Sequence, residues 1–180
     1  FRGKSIISTR FFKSKYNEET ISYILNSKKD FNNSEKILVL REQGIGEEIL
    51  FSSLYADLIK YSDNVIIETE PRLIKIFERS FNKKIFVKDG KFSKSLNELK
   101  KFEVIVFAGS LCKKFRKEEK DFPKKEFLFS DVETDIKLAK SIIFNNQKLK
   151  VGLSWKSVVS IYGKLKSLEL KDFKRIFTKD

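Results

Sequence analysis

The stretch Lys36–Leu50, KILVLREQGIGEEIL, decides the fold because an apolar run, a glycine-containing turn and an amphipathic segment follow one another directly. An unbroken apolar run over 37–40 is typical of a strand buried on both faces of a parallel sheet. Gly44 and Gly46 predict a turn, and the periodicity after them predicts a helix from about Glu47 to Tyr61. The stripe expected to face the sheet consists of Ile49, Leu50, Ser53, Leu54, Ala56, Asp57, Leu58 and Tyr61.

This turn is a candidate ligand site. Glycines let the backbone N–H groups approach a ligand closely, and the start of a helix favours negative charge. The spacing G-x-G-E lacks the third glycine of a dinucleotide fingerprint and the Gly-Lys-Ser/Thr of a P-loop, so neither nicotinamide nor ATP binding is favoured. In the alternative interpretation Gly44 and Gly46 serve only the turn, while Glu47 and Glu48 only complement the helix start.

The rest of the chain alternates apolar runs with amphipathic segments. Residues 1–34 are basic and weakly periodic, with a helix expected around Glu18–Asn26. Further strands are predicted over Asn64–Thr69, Lys84–Val87, Glu103–Phe107 and Lys150–Trp155. Helices are predicted over Arg72–Phe81, Asp131–Asn145 and Leu170–Phe177, with a short helix or loop over Ser95–Lys101. The predicted fold class is therefore α/β, a Rossmann-like, open, mostly parallel sheet of five strands with helices on both faces.

Two later segments complete this picture. Leu111–Lys125 mixes basic and acidic residues and predicts a charged loop that is too polar for the core. The inner side of the helix over 131–145 is expected to consist of Ile136, Leu138, Ala139, Ile142 and Ile143.

The amino-acid composition excludes several kinds of catalytic and metal-binding site. The 180 residues contain no histidine, so histidine-based triads, general bases and metal sites are excluded. The single cysteine, Cys112, excludes an internal disulfide and fits a reducing compartment. No apolar run is long enough to span a bilayer, and no signal peptide is evident. The chain has no methionine and ends soon after a new strand and helix pattern, which predicts a fragment of a longer protein.

The net charge of +13 draws attention to nucleic acid, anionic lipid or phosphorylated substrates as partners. The excess is mostly lysine spread along the whole chain, and no arginine-rich or basic-aromatic motif accompanies it. Nucleic acid is therefore not favoured as a partner, whereas peripheral contact with a membrane stays open.

Four segments resemble, in order, motifs of one protein family. REQGIGEEILFSSLYADL resembles EQGLGD-x-I-x-F-x-R-Y-L-P-x-L, and IIETEPRLIKIFERSF is similar to V-x-L-E-x-x-P-x-L-x-x-L-F. GSLCKKFR resembles S-L-P-x-x-F, and LKVGLSWKS resembles K-V-G-L-x-W-x-G. These motifs belong to heptosyltransferase-like glycosyltransferase domains of the GT-B type, which follow tetratricopeptide repeats in bacterial proteins.

The resemblance implies an N-terminal domain that holds a hydroxyl acceptor and a C-terminal domain that holds a nucleotide-sugar donor. The implied limits are a lead-in over 1–34, an acceptor-side domain over 35–148, and the first strand and helix of a donor-side domain over 149–180. The resemblance further implies a cytoplasmic enzyme, and a position at the inner face of the membrane stays open. It requires no cofactor beyond the donor substrate, and it implies that the fragment alone is inactive.

The resemblance also assigns candidate residues. Glu47 falls where the family has the Asp that is its proposed general base, so glutamate replaces aspartate at the catalytic position. Substrate-binding candidates are Arg41, Gln43, Gly44, Gly46 and Ser110 on the acceptor side, and Ser154, Lys156 and Lys166 near the donor phosphates. No metal ligand is implied.

Other interpretations of these residues stay open. Lys156 and Lys166 lie in a basic tail that is equally compatible with a solvated surface, and Trp155 suits packing as well as base stacking. Arg41 is suited to a carboxylate or phosphate, or to pairing with Glu42 or a neighbouring loop. The alternative function is a non-catalytic α/β module that recognises a glycan, a polypeptide or an anionic surface.

Overall fold

The computed structural model describes residues 15–28, 30–42, 44–141, 151–157 and 163–177. Its centre is a four-stranded, all-parallel sheet in the order β3-β2-β1-β4. The strands are β1 (Ile37–Leu40), β2 (Val65–Thr69), β3 (Phe86–Lys88) and β4 (Val104–Phe107). The predicted α/β class with an open parallel sheet is therefore confirmed.

Helices cover both faces of this sheet. They are α1 (Glu18–Asn26), α2 (Ile45–Phe51), α3 (Tyr55–Tyr61), α4 (Ile74–Phe81), α5 (Leu96–Leu99) and α6 (Cys112–Phe115). Short 3-10 turns over Ser52–Leu54 and Pro71–Leu73 lead into α3 and α4, and a third over Ala108–Leu111 follows β4. Pro71 begins its turn where a missing N–H costs nothing.

Strand β1 forms the centre of the core because all four of its residues are fully buried. Its side chains alternate between the two faces of the sheet, as the strand period requires. One face carries a larger core cluster that includes Ile37, Val39, Tyr55, Leu58, Ile67, Phe77 and Val106. The other face carries a smaller cluster of Tyr16, Ile24, Leu38, Leu40, Leu99, Phe102 and Ile105.

The chain divides into two compact units, Phe1–Asp131 and Val132–Asp180. Tyr16, Ile24 and Phe31, from the basic N-terminal segment, are buried in the first unit. The second unit contains α7 (Val132–Ala139) and α8 (Lys174–Phe177), with 3-10 turns over Lys164–Lys166 and Leu170–Phe173. The domain limits given by the resemblance stay a prediction.

The structure corrects three sequence-based expectations outside the helix after β1. A fifth strand over Lys150–Trp155 is absent: residues 151–157 carry no strand, residue 150 lies outside the described residues, and Val151 is 65% exposed. The helix over 131–145 is shorter, and no residue of α7 is buried, with Ile142 and Ile143 outside the described part of the chain. Leu111, expected in a charged loop, is buried because it ends the 3-10 turn after β4 and packs there into the larger core cluster.

The largest correction concerns the helix after β1. It begins at Ile45 rather than near Glu47, and the 3-10 turn over Ser52–Leu54 separates α2 from α3. The buried positions of α2 and this turn are Glu48, Ser52 and Leu54, whereas Ile49 and Leu50 are exposed. Ile49 and Leu50 therefore predict the wrong buried face for α2. The side chain that faces the core from this helix is that of Glu48.

Candidate functional site

The fold indicates where a ligand would bind. From β1 the strand order runs through β2 to β3 on one side, while β4 lies on the other side of β1. The order therefore reverses between β1 and β4, and in open parallel sheets ligands bind beyond the carboxyl ends of the strands at such a point. Arg41 and Glu42 follow β1 there, and Gly109 and Ser110 follow β4.

Glu42 connects the ends of β1 and β4, the two strands between which the strand order reverses. Its Oε2 accepts a hydrogen bond from the backbone N–H of Gly109 at 2.6 Å, which ties the end of β1 to the turn after β4. Burial raises the pKa of Glu42, and the hydrogen bond from Gly109 opposes part of that rise. A Cβ atom at position 109 would lie 2.6 Å from Oε2 of Glu42, so the close approach depends on glycine.

Arg41 is surrounded by carboxylates. Its Nε lies 2.7 Å from Oε2 of Glu48, and its Nη1 lies 3.1 Å from Oε2 of Glu70 and 3.5 Å from Oδ2 of Asp89. The contact with Glu48 is ionic, since neither atom has a hydrogen-bond partner of suitable geometry among the described residues. The side chain of Arg41 is only 14% exposed. Of the two alternatives for Arg41, binding a substrate anion or pairing with neighbouring segments, the structure shows the second.

Glu48 is the buried member of this cluster. Its Oε1 accepts hydrogen bonds from the hydroxyl of Thr69 and from the backbone N–H of Glu70, the latter at 2.8 Å. Burial raises the pKa of Glu48, while the hydrogen bonds and the charge of Arg41 act in the opposite direction. Glu48 thus joins α2 to the end of β2.

Glu47, the candidate base, has the opposite environment. It is exposed at the first turn of α2, and it accepts no hydrogen bond from the described residues. Its Oε2 lies 3.0 Å from the place that a Cβ atom would take at Gly44, whereas the same position at Gly46 is open. Gln43 lies outside the described residues.

Ser110 is exposed at the same edge, within the 3-10 turn after β4. The structure therefore brings Arg41, Gly44, Gly46, Glu47 and Ser110 to one edge of the sheet. Their roles in binding or catalysis stay predictions.

The remaining candidates lie in the second unit. Ser154, Lys156 and Lys166 are all exposed. The backbone N–H of Leu168 donates to the carbonyl of Trp155 at 2.8 Å, which holds residues 151–157 beside residues 163–170. A groove of about 470 Å³ between these two segments is lined by Trp155, Lys156, Ser157, Lys164, Ser167 and Leu168, among others. Lys156 thus faces open space, as a phosphate contact or a solvated surface would require.

Sequence reasoning missed the hydrogen-bonded roles of three carboxylates, those of Glu42, Glu48 and Glu68. Glu68, inside β2, is fully buried and accepts hydrogen bonds from the N–H groups of Gly90, Phe92 and Ser93 at 2.6–2.9 Å. A carboxylate inside the apolar run VIIET is the signal that could have found it. Glu42 and Glu48 carried no comparable signal, because charged residues beside a turn are ordinarily exposed.

The fold and this edge define a class, an α/β protein with an open parallel sheet and a carboxylate-rich candidate site at its carboxyl edge. No protein-family model, no curated protein and no solved structure matches the chain. Among the described residues, no group of three or more potential ligands is placed to hold a metal ion. Within the same residues, no helix has both the length and the apolar character needed to cross a membrane.

Proposed function

We propose that the chain supplies the acceptor side of a glycosyltransferase, which moves a sugar from a nucleotide-sugar to a hydroxyl group of a glycan or another acceptor. One observation carries the proposal: Glu47 is an exposed carboxylate that accepts no hydrogen bond from the described residues, at the first turn of the helix after β1. A carboxylate tied to the helix N–H groups would be a structural residue, whereas this one is available to a substrate.

The proposed chemistry is a direct displacement at the anomeric carbon of the donor. Glu47 takes the proton of the acceptor hydroxyl, whose oxygen forms the new bond to that carbon. The bond from the carbon to the diphosphate breaks, and the nucleoside diphosphate leaves with the electron pair. Lys156 and Lys166 are the proposed contacts for its negative charge, and Ser154 is a proposed polar contact.

Two further features of this edge support the proposal. Gly44 and Gly46 flank the start of α2 with little side-chain bulk, and Ser110 is exposed after β4. The four ordered motifs quoted from the sequence supply the reaction class. The proposal places the reaction in the cytoplasm of a bacterium, with contact at the inner membrane face where the acceptor is a lipid-linked glycan.

The test is a transfer assay on the whole protein that carries this chain. Sugar nucleotides of the uridine, guanosine, adenosine and cytidine series are offered with saccharide acceptors, and release of the nucleotide and growth of the acceptor are both measured. Acceptor-dependent release of the nucleotide is expected with one donor. If no donor gives an extended acceptor, the proposal is wrong.

A non-catalytic binding module is the second candidate, and Arg41 favours it. In a transferase Arg41 was a candidate for holding a substrate anion, yet it lies among the carboxylates of Glu48, Glu70 and Asp89. Saturable binding of a saccharide, measured by calorimetry on the same protein, with no donor-dependent product in the transfer assay, would select the module over the enzyme.

A further inference from the structure

The groove in the second unit has two walls that hydrogen bonds fix to each other. The backbone N–H of Ser157 donates to Oγ of Ser167 at 2.9 Å, and this hydroxyl donates to the carbonyl of Gly163 at 2.5 Å. The N–H of Leu168 donates to the carbonyl of Trp155 at 2.8 Å. All three bonds lie within the second unit, and the groove of about 470 Å³ has the size of a small-molecule site.

One part of the lining is apolar and exposed. Trp155, Leu168 and Leu170 line the groove with 36%, 58% and 55% of their surface exposed. A ligand with a planar or apolar group would cover these side chains, and removing their surface from water favours binding. Trp155 offers the face of an indole ring for stacking on a planar group.

The charge of the lining is positive. Lys156 and Lys164 line the groove, and neither forms an ion pair with a described residue. Among the described lining residues the acidic one is Glu169. Its carboxylate accepts the backbone N–H of Asp172 and lies 3.8 Å from Nζ of Lys171. Because Glu169 is engaged by its own 3-10 turn, the charges of the two lysines are available to an anionic ligand.

This lining differs from the set of residues that the resemblance assigns to the donor. Lys156 lines the groove, whereas Ser154 and Lys166 do not. Lys164 and Lys166 begin and end one 3-10 turn, in which side chains two positions apart point about 120° apart. Lys164 is therefore the lysine of this turn that lies beside the groove.

We propose that this groove binds a diphosphate that carries a planar group, with Lys156 and Lys164 contacting the diphosphate and Trp155 stacking on the planar group. Two ammonium groups suit the two charged phosphates of such a ligand. Under the proposed function, on which this identification of the ligand rests, the ligand is the nucleotide part of the donor. Lys164 is then a further contact for the leaving diphosphate.

The first test uses the fluorescence of Trp155, which is the single tryptophan of the chain. The full 180-residue chain is titrated with inorganic pyrophosphate at constant ionic strength, and a saturable change in emission is expected. Lys164→Gln should raise the Kd by about threefold to tenfold, because one charge-assisted contact is lost at an exposed site. The absence of a saturable change in the wild type, or an equal Kd in Lys164→Gln, would overturn the proposal.

Two further lysine variants show whether the effect belongs to the groove. Lys140→Gln is the control, because Lys140 is exposed in the same unit but does not line the groove, and its Kd should equal that of the wild type. Lys166→Gln should raise the Kd less than Lys164→Gln does, although both lysines are exposed in one turn. A larger rise in Lys166→Gln would return the anion contact to the lysine given by the resemblance and overturn the assignment of Lys164.

The last test separates the planar group from the diphosphate. Binding of ADP and of pyrophosphate to Trp155→Leu is measured by calorimetry, with ADP as the probe because a purine has a large stacking surface. The Kd for ADP should rise by about fivefold, and the Kd for pyrophosphate should change less than about twofold, which also shows that the groove is intact. Equal changes for the two ligands would overturn the role of Trp155. If both ligands bind as expected and the whole protein transfers sugar from no donor, the proposed function fails while the nucleotide site stands.

Discussion

Glu47 and Glu48 are adjacent carboxylates with opposite environments. Glu48 is 2% exposed and bonded to the end of β2, whereas Glu47 is exposed and accepts no hydrogen bond from the described residues. The difference follows from the phase of α2, in which consecutive residues point about 100° apart. Only Glu47 is therefore suited to take a proton from a substrate, and only Glu48 is needed by the fold.

This contrast gives the first prediction. In the whole protein, Glu47→Gln should reduce the transfer rate by about 100-fold or more, because the amide cannot accept the acceptor proton. Its melting temperature should change little, since the side chain is exposed. Initial rates at saturating substrates and thermal melts measure the two quantities.

The matched control for this change is Glu19→Gln, because Glu19 is also exposed in the first turn of a helix, and that helix, α1, contributes no candidate residue. Glu48→Gln is unsuitable as a control since it alters a buried bonded group. Equal activity of the Glu47 and Glu19 variants would show that Glu47 is not the base, and the binding module would then be preferred.

Gly109 supports a second prediction at the residue scale. Gly109→Ala should reduce the free energy of unfolding by about 1–3 kcal/mol, because the new Cβ would lie 2.6 Å from Oε2 of Glu42 and 3.0 Å from Cζ of Phe51. Gly46→Ala is the control, since that position in α2 is open and alanine is the better helix former. Urea titrations should show a lower midpoint for the first variant and an equal or higher midpoint for the second.

At the scale of elements, Arg41 connects four segments of the first unit. It follows β1 and pairs with Glu48 in α2, with Glu70 after β2 and with Asp89 after β3. Arg41→Met should therefore reduce the free energy of unfolding by about 3 kcal/mol, because it leaves a buried carboxylate without its partner charge. Chemical denaturation of the full chain measures the loss.

The control for this prediction is Arg72→Met, which removes an arginine that also pairs with Glu70 but is 72% exposed. Its effect should be below about 0.5 kcal/mol, since exposed ion pairs contribute little. If the two variants are equally stable, Arg41 does not hold the elements together. It would then be available for the substrate-binding role that the resemblance assigns to it.

The elements themselves were predicted well where their apolar residues decide their burial. β1, β2 and β4 were located to within a residue or two, because a run such as Ile37–Leu40 has few alternatives to a buried parallel strand. The phase of α2 was wrong because Ile49 and Leu50 indicated one face while Glu48 occupies the other. Only tertiary contacts, from Thr69, Glu70 and Arg41, make a buried carboxylate acceptable there.

The candidate site was predicted only in part, for the same reason. The turn after β1 is local, so Gly44, Gly46 and Glu47 could be named from the sequence alone. The tie between Glu42 and Gly109 joins residues far apart in the chain, and no local pattern announces it. The prediction of a fifth strand is wrong for a related reason. The apolar run at Val151 resembles a strand, but it pairs with no strand among the described residues.

For the whole molecule, the division into two compact units has a consequence for activity. The four described strands of the sheet, and the proposed base, belong to the unit Phe1–Asp131. The described part of the other unit has only short helices and turns, and none of the residues in α7 is buried. A donor nucleotide needs several convergent polar groups, and the groove lined by Lys156, Ser157 and Lys164, among others, offers only a part of such a set in the described residues of this unit.

The last prediction follows from this difference between the two units. The 180-residue chain alone should fold, since its first unit has a continuous core on both faces of the sheet, yet it should turn over no nucleotide-sugar. A cooperative thermal transition together with nucleotide release at the rate of a blank without protein is the expected result. The whole protein, assayed in parallel with the same donors, is the positive control. Transfer by the chain alone at a rate comparable to the whole protein would show that these 180 residues contain a complete donor site, and the proposed division between an acceptor side and a donor side would be wrong.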